Sequence, residues 1–139
     1  MENRPTYLLD SFALLAYLND EPGGARVKEV LVLAKGQKCN LVMSLINLGE
    51  VLYITERVRG LTSAQAVLAL VESLPLKLLE ASRELVLDAA HIKASHALSY
   101  ADAIAVASAI HENAVILTGD PEFQTVEYLV KVEWLVVRS

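Results

Sequence analysis

Apolar positions along this chain fall into two rhythms: short unbroken runs, and longer stretches where they recur every three or four residues. Runs of the first kind at Thr6 to Leu9, Leu41 to Met43, Leu76 to Leu79, Val115 to Leu117 and Trp134 to Val137 predict five strands. The second rhythm fills the gaps. Phe12 to Leu18 predicts one helix, and Val27, Val30, Leu31 and Ala34 share a face on a second that Gly36 closes. A third follows from a Ser44 cap to Arg59 and stops at Gly60, and Thr62 with Gln65 has the spacing of a capping box for a fourth, ended by Pro75. Ser82 caps a fifth helix reaching about Ser95. A sixth begins near Asp102 and is apolar on nearly every side through Ile110, which predicts burial. Strands alternating with helices in this way predict an α/β fold with a mainly parallel sheet. No repeat, low-complexity tract or linker interrupts the pattern, so one domain is expected over residues 1–139.

Composition narrows the class. With 54% hydrophobic and 21% charged residues, the chain can bury enough apolar surface to offset its conformational entropy, which excludes disorder. The longest uncharged stretch, Gly60 to Val71, is well short of the ~20 residues a membrane span needs, so no membrane association is expected. Glu2 and Asp10 argue against a secretory leader, and the lone Cys39 cannot form an internal disulfide; both predict a cytoplasmic protein. Net charge of −5 leaves no overall basic footprint for nucleic acid.

Four carboxylates occupy unusual places. Asp10 and Asp120 each follow an apolar strand, where a parallel sheet binds its ligands, so they converge if their strands are neighbours. Glu50 is the one charge between Lys38 and Glu56, and Asp102 opens the helix expected to be buried. Each has an ordinary structural explanation as well. Asp10 or Ser11 can cap the first helix, Asp120 before Pro121 is a normal N-cap, Ser99 to Asp102 fits a capping box, and Glu50 can face solvent beside Tyr53 and Arg57.

Taken together, the segments around them change the balance. Leu8-Leu9-Asp10-Ser11, Ser44-Leu45-Ile46-Asn47-Leu48-Gly49-Glu50-Val51-Leu52, Leu98-Ser99-Tyr100-Ala101-Asp102-Ala103 and Ile116-Leu117-Thr118-Gly119-Asp120-Pro121-Glu122-Phe123 resemble, in order and spacing, the four motifs of the PIN-domain nucleases. The closest subset is the VapC-type toxins of toxin–antitoxin pairs. The resemblance implies a three-layer α/β/α sandwich around a mainly parallel sheet, divalent-metal-dependent cleavage of RNA, and a homodimer inhibited by a cognate antitoxin. It also implies that Asp10, Glu50, Asp102 and Asp120 form an acidic metal site, with the Ser11 and Thr118 hydroxyls beside it. Asp10 and Asp102 are expected as direct ligands, and Glu50 and Asp120 as completing a second ion site or orienting water. Hard oxygen ligands of this kind select Mg²⁺ or Mn²⁺.

Four carboxylates committed to metal would account for four of the five net negative charges, leaving a nearly neutral surface to meet RNA. Arg26, Lys28, Lys35, Lys38, Arg57, Arg59 and Lys93 are available for phosphates, although solvated surface charge is the ordinary role of each. The histidines His91, His96 and His111 lack helical zinc spacing, Cys39 is expected to be packed rather than nucleophilic, and the aromatic residues are too scattered along the chain for a stacking platform. Two competing readings follow. One is a catalytically silent PIN-like module binding RNA or protein, which a metal titration would separate from the nuclease. The other is a metal-dependent phosphatase of another α/β fold, against which stands the lack of a second acid between Asp10 and Asp20.

Overall fold

A computed structural model describes residues 4–137. The chain order is β1 (Thr6–Leu9), α1 (Ser11–Leu18), α2 (Gly24–Lys35), β2 (Asn40–Ser44), α3 (Leu45–Arg59), α4 (Leu61–Ser73), β3 (Lys77–Leu79), α5 (Arg83–Ser95), α6 (Tyr100–Glu112), β4 (Val115–Thr118), a 3-10 turn (Pro121–Val126) and β5 (Val132–Trp134). All five strands run parallel in the order β3-β2-β1-β4-β5. The domain limits expected at residues 1 and 139 lie outside the described residues.

Alternation of side chains along the strands divides the interior into two cores. Leu8, Val42 and Ile116 face one side and pack with Leu85, Ala89, Ile104, Phe123 and Val126. Leu9, Leu41, Met43 and Leu117 face the other and pack with Leu14, Val27, Val30, Leu48, Val51 and Val71. The result is the three-layer α/β/α sandwich, with α5 and α6 on one face and α1 to α4 on the other. The run Ala103 to Ala109 in α6 is buried throughout, as its uniform apolarity predicts.

Ser44 and Ser82 cap their helices as expected, accepting from the amides of Ile46 and Leu85. Two expectations fail. Thr62 caps nothing, because Gly60, at φ 93°, ends α3 and begins α4 with no residue between them, so Thr62 already lies inside the helix. The last strand is Val132–Trp134 rather than Trp134 to Val137. Its register pairs Ile116 with Val132 and Thr118 with Trp134, and β4 ends at Thr118, so beyond the bond from the Leu135 amide to the Thr118 carbonyl the apolar run has no partner. Val136 and Val137 are exposed instead.

Strand order decides where ligands can sit. The chain leaves β1 toward β2 and β3, then crosses back to place β4 on the other flank of β1. The crevice beyond the carboxyl ends of β1 and β4 is therefore the topological switch point of the sheet. With Leu9 beside Leu117 in register, Asp10 emerges next to Thr118.

Candidate metal centre

Asp10 leaves β1 and caps α1. One oxygen, Oδ1, accepts from the Ala13 amide at 2.8 Å, so the ordinary capping role holds for half of the carboxylate. The other oxygen accepts from the Thr118 hydroxyl at 2.5 Å, and the same hydroxyl oxygen accepts from the Asp120 amide at 3.0 Å. Thr118, fully buried at the end of β4, thereby ties the two strand ends together. Asp10 is 1% exposed, and burial pushes its pKa up to about 7. The Thr118 and Ala13 bonds oppose that rise, and the Asp120 charge adds to it.

Asp102 sits in the first turn of α6, where Ser99 caps the helix by accepting from the Asp102 amide. Only this arm of the expected capping box forms. The reciprocal donor, the Ser99 amide, goes to Glu122 Oε1 at 3.0 Å, which leaves the Asp102 carboxylate free of backbone duty. Its pKa is driven up to about 8, first by burial, then by Glu122, and then by Asp120 and Asp10. Glu122 moves the opposite way, lowered mainly by its bond with Asp102, so the shared proton rests on Asp102.

Oxygens of Asp102, Asp120 and Glu122 all lie within 4.8 Å of one another. Glu122 was not singled out by sequence, although it stands two residues after Asp120 in the same 3-10 turn. An acid in a helical first turn ordinarily reads as a complement to the helix dipole. Asp120 itself caps that turn, accepting from the Glu122 amide at 2.9 Å.

Glu50 stands at the margin, outside that group of oxygens. The Ser11 hydroxyl donates to Glu50 Oε1 at 2.5 Å, with the Asn47 carbonyl 3.1 Å from the same hydroxyl. Asn47 is fully buried and donates to the Ala101 carbonyl, which anchors the start of α3 against the residue preceding Asp102. Glu50 is half-buried beside Ser11, while Arg57 lies over the Tyr53 ring.

None of the three ion pairs among the described residues involves Asp10, Glu50, Asp102, Asp120 or Glu122. In this partly buried crevice without a paired cation, burial first and then the neighbouring acids raise the pKa of Asp10 and Asp102, and the all-oxygen donor set suits a hard divalent ion. The residues therefore fit Mg²⁺ or Mn²⁺. A second grouping of Glu84, Asp88 and His111 is exposed on α5 and α6, and the ion pair of His111 with Asp88 at 2.7 Å accounts for it. Cys39 is buried and its thiol pKa is raised, chiefly by that burial, which suits packing rather than nucleophilic chemistry.

The family model of the PIN domain matches residues 7–128. This chain belongs to the PIN domain family. Solved structures with the same fold include VapBC2 from Rickettsia felis bound to a DNA fragment from its promoter, 19% identical with a TM-score of 0.73 over 94% of this chain and 99% of that one. DNA-bound VapBC from Salmonella typhimurium matches at 19% identity and TM-score 0.73, covering 93% of this chain and 97% of that chain. VapC20 from Mycobacterium tuberculosis, described as a Sarcin-Ricin loop cleaving toxin, matches at 19% identity and TM-score 0.67, covering 85% and 92%. No curated protein matches the chain by sequence. Among the described residues of this PIN domain, no helix is long and apolar enough to cross a membrane.

Proposed function

We propose that this PIN domain is a divalent-metal-dependent endoribonuclease and the toxin of a toxin–antitoxin pair. The observation that carries the proposal is the gathering of Asp10, Asp102, Asp120 and Glu122 at the sheet's switch point, with none of them in an ion pair among the described residues. Asp10, Asp102 and Asp120 with Glu122 would hold the ion, and Glu50 with Ser11 flanks it from α3 and α1. Bound there, Mg²⁺ or Mn²⁺ supplies charge neutralisation on the scissile phosphate and acidification of water.

The chain's own contributions are orientation and proton placement. Thr118 holds Asp10 in one rotamer and locks the β4 end that carries Asp120. Burial and the neighbouring acids favour the protonated form of Asp102 when no cation is bound, and acting as a ligand requires that proton to leave. The likeness in fold to VapC20, a Sarcin-Ricin loop cleaving toxin, supports RNA as the substrate, and the VapBC complexes support an antitoxin as partner. A homodimer in the cytoplasm completes the proposal.

Cleavage of total RNA in Mg²⁺ or Mn²⁺, comparing the wild type with Asp10→Asn and Asp102→Asn, tests it. Metal-dependent cutting is expected from the wild type alone. Equal cutting by all three proteins would overturn the assigned roles. No cutting by any of them, with no thermal stabilisation by Mn²⁺, would leave a silent binding module.

A further inference from the structure

The two segments that meet at Ser99 and Glu122 also carry an aromatic pair that the sequence order conceals. His96, at the C-terminal end of α5, and Tyr128, just past the 3-10 turn, are 32 residues apart, yet the Tyr128 hydroxyl bonds His96 Nε2 and the ring centroids are 5.7 Å apart at a 30° tilt. His96 Nδ1 contacts the Ile92 carbonyl at 2.7 Å. A carbonyl only accepts, so in the neutral ring Nδ1 carries the proton and Nε2 accepts from tyrosine.

Tyr128 is thus held at its hydroxyl while remaining 74% exposed. Ordering an exposed ring costs conformational freedom, and burial does not repay it here. The same two segments are stitched once more by the Ser99 amide and Glu122. His96 precedes Ser99 by three residues, a reach of at most ~11 Å along the backbone, so the rings stand within a few nucleotides' length of the acids. Lys93, exposed one turn earlier on α5, is close enough to Glu122 for its charge to be felt there.

We infer that Tyr128, oriented by His96, is a stacking platform for a base of single-stranded RNA, with Lys93 placed for a flanking phosphate, so that this surface positions substrate for the acidic crevice. The inference rests on the nuclease reading for its substrate. A locked, solvent-facing ring, with a cation one turn away on the helix that orients it, is the chemistry that binds unpaired nucleotides, since every base offers a π-face and its backbone a charge.

The test is fluorescence anisotropy of the full chain with a labelled single-stranded RNA decamer of mixed sequence in Ca²⁺, and with the same decamer annealed to its complement. Steady-state cleavage in Mn²⁺ runs alongside. Tyr128→Ala is expected to weaken single-strand binding about tenfold and to raise KM by a similar factor, with kcat changed less than about twofold. Tyr128→Phe keeps the ring and is expected to stay within about threefold of wild type, and Lys93→Gln to lower the salt dependence by about one phosphate contact. Melting curves of the variants confirm folding.

Wild-type-like binding by Tyr128→Ala, with Asp102→Asn abolishing cleavage, overturns the platform and leaves the nuclease reading intact. Equal losses in Tyr128→Ala and Tyr128→Phe, or equal affinity for the duplex, also overturn it. RNA binding that depends on Tyr128 without any cleavage upholds the platform and removes the nuclease reading. A wild type that binds no RNA overturns both.

Discussion

Replacing Asp10 by asparagine should stabilise the metal-free protein at alkaline pH. Asp10 is 1% exposed, and its pKa rises from the ordinary 3.8 to about 7 in the fold. A raised carboxylate pKa means the native state binds more protons than the unfolded chain between those values. The Asp10 contribution to stability is therefore greatest below about pH 4, falls as pH climbs toward 7, and stays reduced above that. At ~1.4 kcal/mol per pKa unit, carrying the buried charge costs on the order of 4 kcal/mol at pH 8.5. Asparagine removes the charge and can still accept from Ala13, but it cannot accept the Thr118 proton at its second atom, a loss of ~1–2 kcal/mol. The net gain is ~2–3 kcal/mol, or roughly 6–10 °C in Tm for a domain of this size. Circular-dichroism melts in EDTA at pH 8.5 and pH 5 measure it. The variant should melt above the wild type at pH 8.5 and close to it at pH 5, where the smaller charge cost and the lost Thr118 bond nearly cancel, and Mn²⁺ should raise the wild type alone. A variant melting below the wild type at pH 8.5 in EDTA would refute the claim that Asp10 is a strained, cation-seeking charge.

Other consequences are simpler to state. Glu122→Gln should raise the Mn²⁺ concentration needed for thermal stabilisation by roughly ten- to a hundredfold if Glu122 supports the ion, and an unchanged titration midpoint would remove it from the site. Thr118→Val keeps the buried shape but deletes the donor that lowers the Asp10 pKa, so the decline of stability in EDTA should continue to a higher pH than in the wild type, as read by melts from pH 5 to 9. Gly119→Ala should cost ~1–3 kcal/mol in urea denaturation, because a Cβ there would lie 2.4 Å from the Phe12 ring and 2.8 Å from Val137.

Much of this was legible in the order of residues. Apolar periodicity located the helices, and the Ser44 and Ser82 caps and the Gly60 stop fell where local backbone chemistry requires them, because these signals act over a few residues and need no distant partner. Strand register was a different matter. Trp134 to Val137 carries the apolar character of a buried strand, yet hydrogen bonding ends with the neighbour that supplies partners, and that neighbour is chosen only in three dimensions. The acids divide the same way. Asp10 and Asp120 were marked by standing after strands, but that they share Thr118 depends on β1 and β4 being adjacent. Glu122 carries no mark in the sequence beyond being an acid in a helical first turn, and only the fold brings it to the Ser99 amide, which frees Asp102. The pairing of His96 with Tyr128 had no trace in spacing at all. Periodicity encodes which face of an element is buried. Which elements meet, and hence which charges share a low-dielectric crevice, is settled by packing, and from that come the raised pKa values that call for a cation.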